Sequence, residues 1–404
     1  MPYETAQDLM KKYAAKTYGK KGEAVVQLNY QAIDKGAEGL VEVKVKSAWK
    51  KLPVEEVVDN QNRPHFVKTI ADPVNQVKGY DLPVSAFNGY EDGTMPNGTA
   101  AYEKRGTANF VPMWMPENCI QCNQCSFVCP HAVVRPFLVT EEEVAKAPEG
   151  TLYLTPTGKG FEGLKYTLQI STLDCTGCEV CVNTCPGKKG EKALKMVPID
   201  EAIEKGEAVE AKYFFNEVTY KDNLVDKMAN PKNSQFAQPL FEFSGACGGC
   251  GETPYVKLAT QLFGDHMVIA NATGCSSIYG GSFPATPYTS NKEGHGPAWA
   301  NSLFEDNAEF GFGMVAASSA LRDQIATHME EALEECEVES RVKELFQIWL
   351  DNRNDYKVTR EVADELVPLL KDKECAHAKA IYELRDHLVK RSQWIFGGDG
   401  WAYD

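Results

Sequence analysis

The chain has no apolar run near the ~18 to 20 residues that a membrane-spanning helix needs. Its opening, Met1-Pro2-Tyr3-Glu4, is polar and lacks the basic-then-apolar pattern of a secretory leader. A membrane location is therefore not expected, and a cytoplasmic one is. Positive charge is also short: 42 Lys and Arg stand against 57 Asp and Glu, a formal charge of -15. That balance opposes any extended polyanion, so nucleic-acid binding is not expected. What remains, 404 residues at 43% hydrophobic and 25% charged, suits a soluble chain of several ordinary domains.

One pattern stands out, and it occurs twice: Cys119, Cys122, Cys125, Cys129-Pro130, then Cys175, Cys178, Cys181, Cys185-Pro186. Each run reads C-x2-C-x2-C-x3-C-P. In two-cluster bacterial ferredoxins, three thiolates of such a run hold one 4Fe-4S cluster and the fourth reaches across to the other. The spacing therefore predicts Cys119, Cys122, Cys125 and Cys185 around one cluster, and Cys175, Cys178, Cys181 and Cys129 around the second. Two-residue gaps let a tight loop aim three sulfurs at three corners of a cube, and the proline ends the loop. Zinc is the main competing reading, but four-ligand zinc sites would leave the triplets oversupplied. A disulfide framework has no purpose in a chain this long without a secretory leader. The expected chemistry is transfer of single electrons.

Composition divides the chain into four stretches. Residues 1-50 open with Ala6, Leu9, Met10 and Tyr13 at helical spacing, and Val41, Val43 and Val45 then alternate as in a strand. Residues 51-108 are punctuated by Pro53, Pro64, Pro73, Pro83, Pro96 and Asn97-Gly98, which predicts mostly loop. Residues 109-200 carry both cysteine runs, with Tyr153-Leu154 and Tyr166, Leu168 and Ile170 suggesting a hairpin inserted between them. A basic run, Lys188, Lys189, Lys192 and Lys195, follows and reads either as a solvated face or as a surface for an acidic electron carrier. In residues 201-404, Val342, Leu345, Phe346 and Trp349 form a helical stripe, as do Val362, Leu366 and Leu369, then Ile381, Leu384 and Leu388. Gln393-Trp394-Ile395-Phe396 predicts a short strand running into Gly397-Gly398-Asp399-Gly400, the kind of junction where α/β folds place ligands.

A second cysteine group lies in this last stretch: Cys247 and Cys250 in SGACGGCGETPY, and Cys275 in NATGCSSIYGG. Nearby glycines would let backbone approach an inorganic cluster. By themselves these residues fit a zinc site, a partial cluster site or unconnected thiols. Cys336 and Cys375 stand on predicted helices without C-x2-C company and are expected to be buried as small hydrophobes.

SGACGGCGETPY, NATGCSSIYGG and WIFGGDGWAYD, downstream of a double ferredoxin motif, closely resemble the pyruvate:ferredoxin (flavodoxin) oxidoreductases. TYGKKGEAVVQLNYQAID resembles the end of that family's preceding gamma-type oxidoreductase domain. Glu103-Lys104-Arg105 resembles the tripeptide that names its linker domain. The resemblance implies multi-domain α/β and α+β architecture: residues 1-50 ending the gamma-type domain, 51-108 a loop-rich linker domain, 109-200 a two-cluster ferredoxin-like domain, and 201-404 an incomplete α/β thiamine-diphosphate domain. It implies oxidative decarboxylation of pyruvate with coenzyme A to acetyl-CoA and carbon dioxide, with electrons leaving through 4Fe-4S clusters to ferredoxin or flavodoxin. By motif match, Cys247, Cys250 and Cys275 are three ligands of a third cluster. Glu252 and Cys275 contact thiamine diphosphate, and Gly398, Asp399, Gly400 and Trp401 begin its binding motif, with Asp399 on magnesium.

The departures shape the expectation as much as the matches. The family's asparagine beyond the Gly-Asp-Gly motif and its fourth ligand for the third cluster have no counterpart here, and neither do the domains that supply the pyruvate and coenzyme A sites. The chain is therefore expected to be a fragment, inactive alone, of a longer homodimeric enzyme or of one split between chains. A polyferredoxin-like electron-transfer subunit, an oxidoreductase for another 2-oxoacid, and a zinc-stabilised scaffold are the alternatives.

Overall fold

The computed structural model describes residues 1–51, 63–221 and 223–403. They fall into two compact units, Met1–Gln61 and Asn62–Asp404. In the first, helices Tyr3–Tyr18 and Glu23–Glu38 pair antiparallel: Lys11 meets Asp34 at 2.6 Å and lies over the Tyr30 ring, and Gln7 donates to Asp34 at 2.6 Å. The reversal passes through Gly22, whose φ of 101° suits glycine. Val41, Val43 and Val45 do not form the expected strand and are 84%, 76% and 63% exposed. Alternation alone does not make a strand where no neighbour satisfies the ladder. Pro53 and the rest of 52–62 lie outside the described residues.

The second unit begins with short helical turns, a π-helical turn Val67–Ala71 and helix Asp72–Asn75 among them, around a small cluster of Phe66, Val67, Ile70 and Ala71. Arg63 forks onto Asp72 at 2.6 and 2.8 Å. The segment then docks onto the rest of the unit. Gly98 N–H donates to Tyr288 O at 2.7 Å, Thr99 Oγ1 donates to Pro284 O at 2.7 Å, and Lys104 pairs with Asp174 at 2.5 Å while lying over the Phe243 ring. Gly98 adopts φ 74°, and a Cβ there would stand 2.7 Å from Thr289 Oγ1, so only glycine fits.

Next come two antiparallel pairs. β1 (Phe110–Trp114) pairs with β4 (Leu194–Pro198), and β2 (Val134–Val139) with β3 (Lys165–Ile170). Their inward residues, Val111, Val134, Leu168, Ile170 and Leu194 among them, share one core with Cys129, Cys175 and Cys181. The expected hairpin between the cysteine runs is reduced to one bridge, Leu154 with Tyr166, because β3 takes β2 as its partner over six residues. Helix Glu141–Lys146 fills the insertion, capped reciprocally by Thr140 and Glu143.

Glu143 also ties this helix to the following segment. Its carboxylate accepts from Lys221 Nζ at 2.8 and 2.9 Å and from Thr219 N at 3.1 Å. Burial alone would raise its pKa, but the Lys221 ammonium and the Thr140 and Thr219 amides outweigh burial and hold it at about 2. A depressed carboxylate stabilises the fold above its unfolded value of about 4.3, and that contribution is lost as pH falls toward 2. Glu143→Gln should therefore cost about 1–3 kcal/mol at neutral pH. Urea midpoints of wild type and variant should converge as pH is lowered through that window.

The last part carries a parallel sheet of order β6-β5-β7, with β5 Met267–Ala272, β6 Ala298–Ser302 and β7 Ser392–Phe396. Helix Asn307–Glu335 packs so closely on it that a Cβ at Gly311 would stand 2.5 Å from Ile395. Helices Ser340–Asn352, Tyr356–Leu370 and Ala376–Glu383 bury the three predicted stripes in one cluster, with Val342, Phe346 and Trp349 fully enclosed. Trp349 Nε1 donates to Leu388 O at 2.9 Å, which anchors the approach to β7. Cys336 and Cys375 are not lone hydrophobes: they are joined as a disulfide, Cα atoms 6.1 Å apart. Cys336 ends one helix and Cys375 starts another that folds back beside it, a pairing with no local spacing to reveal it. Among the described residues, no helix is long and apolar enough to cross a membrane.

Candidate metal centres

Two small cavities lie inside the paired-strand region. Cys129, Cys175, Cys178 and Cys181 line one, with Pro130, His131, Val133 and Val134. Cys119, Cys122, Cys125 and Cys185 line the other, with Tyr166, Leu168, Pro186 and Leu194. The structure thus brings each fourth cysteine to the opposite run's triplet.

The loops reach this shape through matched backbone devices. Gln121 and Asn123 have φ of 56° and 57°, and the equivalent Gly177 and Glu179 have 67° and 62°. Left-handed residues at alternate positions coil the loop so that amides turn inward. Gln121 N–H points at Cys119 Sγ and Gly177 N–H at Cys175 Sγ, both at 3.4 Å. Ala193 N–H does the same for Cys185 Sγ at 3.4 Å. Beyond the second run, Gly187 has φ 58°, and a Cβ there would stand 1.9 Å from Glu191 O, so the chain can turn under Cys185 only with glycine. Gln121 is held from outside, donating to Thr155 O at 2.7 Å, and Tyr166 hydroxyl donates to Asn123 at 3.0 Å.

These thiols suit a multi-atom cluster. Burial pushes Cys175 up to about 12 and raises Cys119, Cys125 and Cys181, with the neighbouring cysteines of each cavity adding to the shift. Several thiols gathered in a dry, apolar hole are costly as thiolates unless a cation compensates them. Four sulfurs on one zinc would sit roughly 3.8 Å apart at ~2.3 Å bonds.

Of the third group, the turn that carries Cys247 and Cys250 sits beside the first cavity. The turn from Cys247 to Cys250 closes with Cys250 N–H on Cys247 O at 3.0 Å. A Cβ at Gly249 would lie 3.7 Å from Cys178 Cβ, and one at Gly248 3.5 Å from Thr176 Oγ1. His131, which follows Cys129-Pro130, joins the two loops: its Nε2 meets Ala246 O at 2.9 Å and its Nδ1 lies 3.5 Å from Thr176 Oγ1. Cys247 and Cys275 are exposed, whereas Cys250 is half-buried, as are Cys119, Cys122, Cys125, Cys178 and Cys185.

Cys275 and Asp399 arrive at one edge of the parallel sheet. Asn271 of β5 is in register with Phe396 of β7, and each predicted residue follows within four positions, Cys275 opening helix Cys275–Gly280 and Asp399 opening helix Asp399–Tyr403. This is the carboxyl edge, where parallel sheets bind ligands. Buried polar atoms there lack partners: Asn271 Oδ1, Ser276 Oγ and Asn307 Oδ1. Asn307 Nδ2 donates to Phe396 O at 3.1 Å. The two amide oxygens are acceptors that suit a cation, and the Ser276 hydroxyl can donate to a phosphate oxygen, so the set fits a diphosphate bound with its cation. Glu252 begins helix Thr253–Phe263 close to Tyr279 and Tyr288, whose pKa values are raised by burial and then by its carboxylate. Gly398 and Gly400 flank Asp399, and Trp401 lies over Gly397, where a Cβ would stand 2.4 Å from the indole.

Sequence reasoning missed His131, Tyr279, Tyr288 and Lys257. Lys257 is fully buried, and its Nζ donates to the carbonyls of Ser126 and Phe127, beneath the loop that carries Cys125 and Cys129. Burial lowers its pKa to about 8 against the pull of those cysteines. A lone lysine on an amphipathic helix reads as a surface residue, and no local signal marks it otherwise.

A family profile described as a 4Fe-4S dicluster domain matches residues 118–189, and another described as a domain of unknown function matches 54–108. Over its whole length the chain is 48% identical to a pyruvate:ferredoxin oxidoreductase of Moorella thermoacetica, covering 34% of that protein. It is 49% identical to a pyruvate-flavodoxin oxidoreductase of Klebsiella pneumoniae, with 99% of this chain and 34% of the relative covered. A pyruvate dehydrogenase [NADP(+)] of Cryptosporidium parvum is 43% identical, and the chain covers 24% of it. The chain spans about a third of the length of the curated relatives it matches first.

Proposed function

We propose that this chain supplies the electron relay and part of the thiamine-diphosphate site of a pyruvate:ferredoxin (flavodoxin) oxidoreductase. Residues 109-200 form its two-cluster domain, preceded by linker 51-108 and the end of a gamma-type domain at 1-50, and followed by the thiamine-diphosphate part at 201-404. Cys119, Cys122, Cys125 and Cys185 hold one 4Fe-4S cluster, and Cys175, Cys178, Cys181 and Cys129 hold the second. Cys247, Cys250 and Cys275 hold a third. Eight of the thirteen cysteines line the two cavities and two form the disulfide, so a fourth cysteine for that third cluster comes from other polypeptide.

When bound, thiamine diphosphate supplies the carbon chemistry that decarboxylates pyruvate. This chain's residues bind and orient it: Asp399 through magnesium, Gly398 and Gly400 by leaving the backbone open, and Glu252, Cys275 and Trp401 by contact. The observation that carries the reading is spatial order. The Cys247–Cys250 turn lies against the Cys178 loop, and Cys125 lies close enough to the cavity of Cys175, Cys178 and Cys181 to shift Cys181. These contacts support a row of three centres running from the Cys247–Cys250 turn through the Cys175 run to the Cys119 run. The row ends beside exposed Lys188, Lys189 and Lys195, a surface fitted to an acidic carrier such as ferredoxin or flavodoxin.

Replacing the matching third of the Moorella thermoacetica enzyme with this chain tests the proposal. Pyruvate- and coenzyme A-dependent reduction of ferredoxin should be retained and should disappear with Cys250→Ser. A chimera with full iron content that passes electrons from dithionite to ferredoxin, but not from pyruvate, would instead favour a polyferredoxin-like subunit.

A further inference from the structure

Far from the cysteine loops, three ligand-type side chains converge between helix Asn307–Glu335 and helix Ala376–Glu383. His328 and Glu331 stand three residues apart on one face of the first helix, and His377 opens the second. His328 Nδ1 and His377 Nδ1 are 3.2 Å apart; Glu331 Oε2 lies 3.1 Å from His377 Nδ1 and 3.6 Å from His328 Nδ1. The geometry points to a binding site for a divalent transition-metal ion of the zinc class, held by His328, Glu331 and His377, that clasps these two helices.

The distances carry this assignment. Ligands bonded to zinc at ~2.0–2.1 Å in tetrahedral array are separated by about 3.3 Å. The three observed edges bracket that value, so an ion fits above the triangle without rearrangement of the helices, and its fourth position opens to solvent. Two imidazoles and one carboxylate form a donor set that suits zinc-class ions rather than magnesium or calcium, which prefer oxygen. Glu335 supplies the outer support: its Oε2 lies 3.4 Å from His377 Nε2, the ring nitrogen left over if Nδ1 takes the metal. A carboxylate on the far nitrogen of a metal-bound imidazole fixes its tautomer and ring orientation. The rings are partly open, with His328 and His377 side chains 32% and 22% exposed, so an ion can enter.

The site has a structural neighbour in the Cys336–Cys375 disulfide, which joins the residues just beyond the same two helix ends. Disulfide and ion would together fix the far end of the long helix, whose near end bonds to β7 through Asn307.

The test equilibrates the full chain, its clusters loaded, with zinc chloride and counts zinc and iron after dialysis. Wild type should retain one zinc more per chain than His377→Gln or His328→Gln, with iron unchanged. Crystals soaked in zinc chloride should show an anomalous peak at the zinc edge between the two Nδ1 atoms. Equal zinc in wild type and both variants, or an empty position in the soaked crystals, would overturn the assignment. The crystal measurement uses wild type alone and decides the matter even if the variants do not fold.

Discussion

Cys129→Ala is expected to strip the cluster of the other cysteine run while leaving its own run's cluster in place, so that iron falls from about eight to about four atoms per chain. The reason is that Cys129 lines the cavity of Cys175, Cys178 and Cys181, whereas Cys185 lines that of Cys119, Cys122 and Cys125. Double variants make the crossing measurable. Cys129→Ala with Cys175→Ala should lose no more iron than either alone, because both damage one site. Cys129→Ala with Cys119→Ala should lose all of it, since independent sites add. An uncrossed arrangement gives the opposite pairing. Iron analysis and the low-temperature spin signal of the reduced protein read both outcomes.

The second large effect concerns Lys257. Its ammonium stands beneath the loop between Cys125 and Cys129, which belong to different cavities, so it should stabilise added negative charge at both centres. A unit charge ~7–10 Å away at an effective dielectric constant of ~20 shifts a one-electron potential on the order of 50–100 mV. Lys257→Met, similar in shape, should therefore lower both cluster potentials together. Redox titration followed by the spin signal checks this, with iron content confirming that the sites remain loaded. Unchanged potentials would mean that solvent or another charge offsets the lysine.

The cysteine spacing was legible because the geometry of one cluster loop is local: two-residue gaps and the closing proline are set within about ten residues. The helical stripes through Trp349, Leu366 and Ile381 were legible for the same reason, since each face is written in its own segment. Pairings across long distances were not. Cys336 with Cys375, His328 with His377 and Lys257 with the carbonyl of Phe127 depend on how helices dock, and no spacing records that. Val41, Val43 and Val45 show the converse, a local pattern that no neighbour completes. At the sheet edge, the glycines around Asp399 were visible, whereas the partnerless atoms Asn271 Oδ1, Ser276 Oγ and Asn307 Oδ1 became meaningful only once β5 and β7 were placed side by side.

The most direct measurement is anaerobic reconstitution of the chain with iron and sulfide, followed by counts of iron and acid-labile sulfide and a spectrum of the dithionite-reduced protein. Two crossed sites predict about eight iron and eight sulfide, a brown chromophore and the split signal of two magnetically coupled 4Fe-4S centres. About two zinc ions seated among the cysteines, with no visible absorption, would contradict the account.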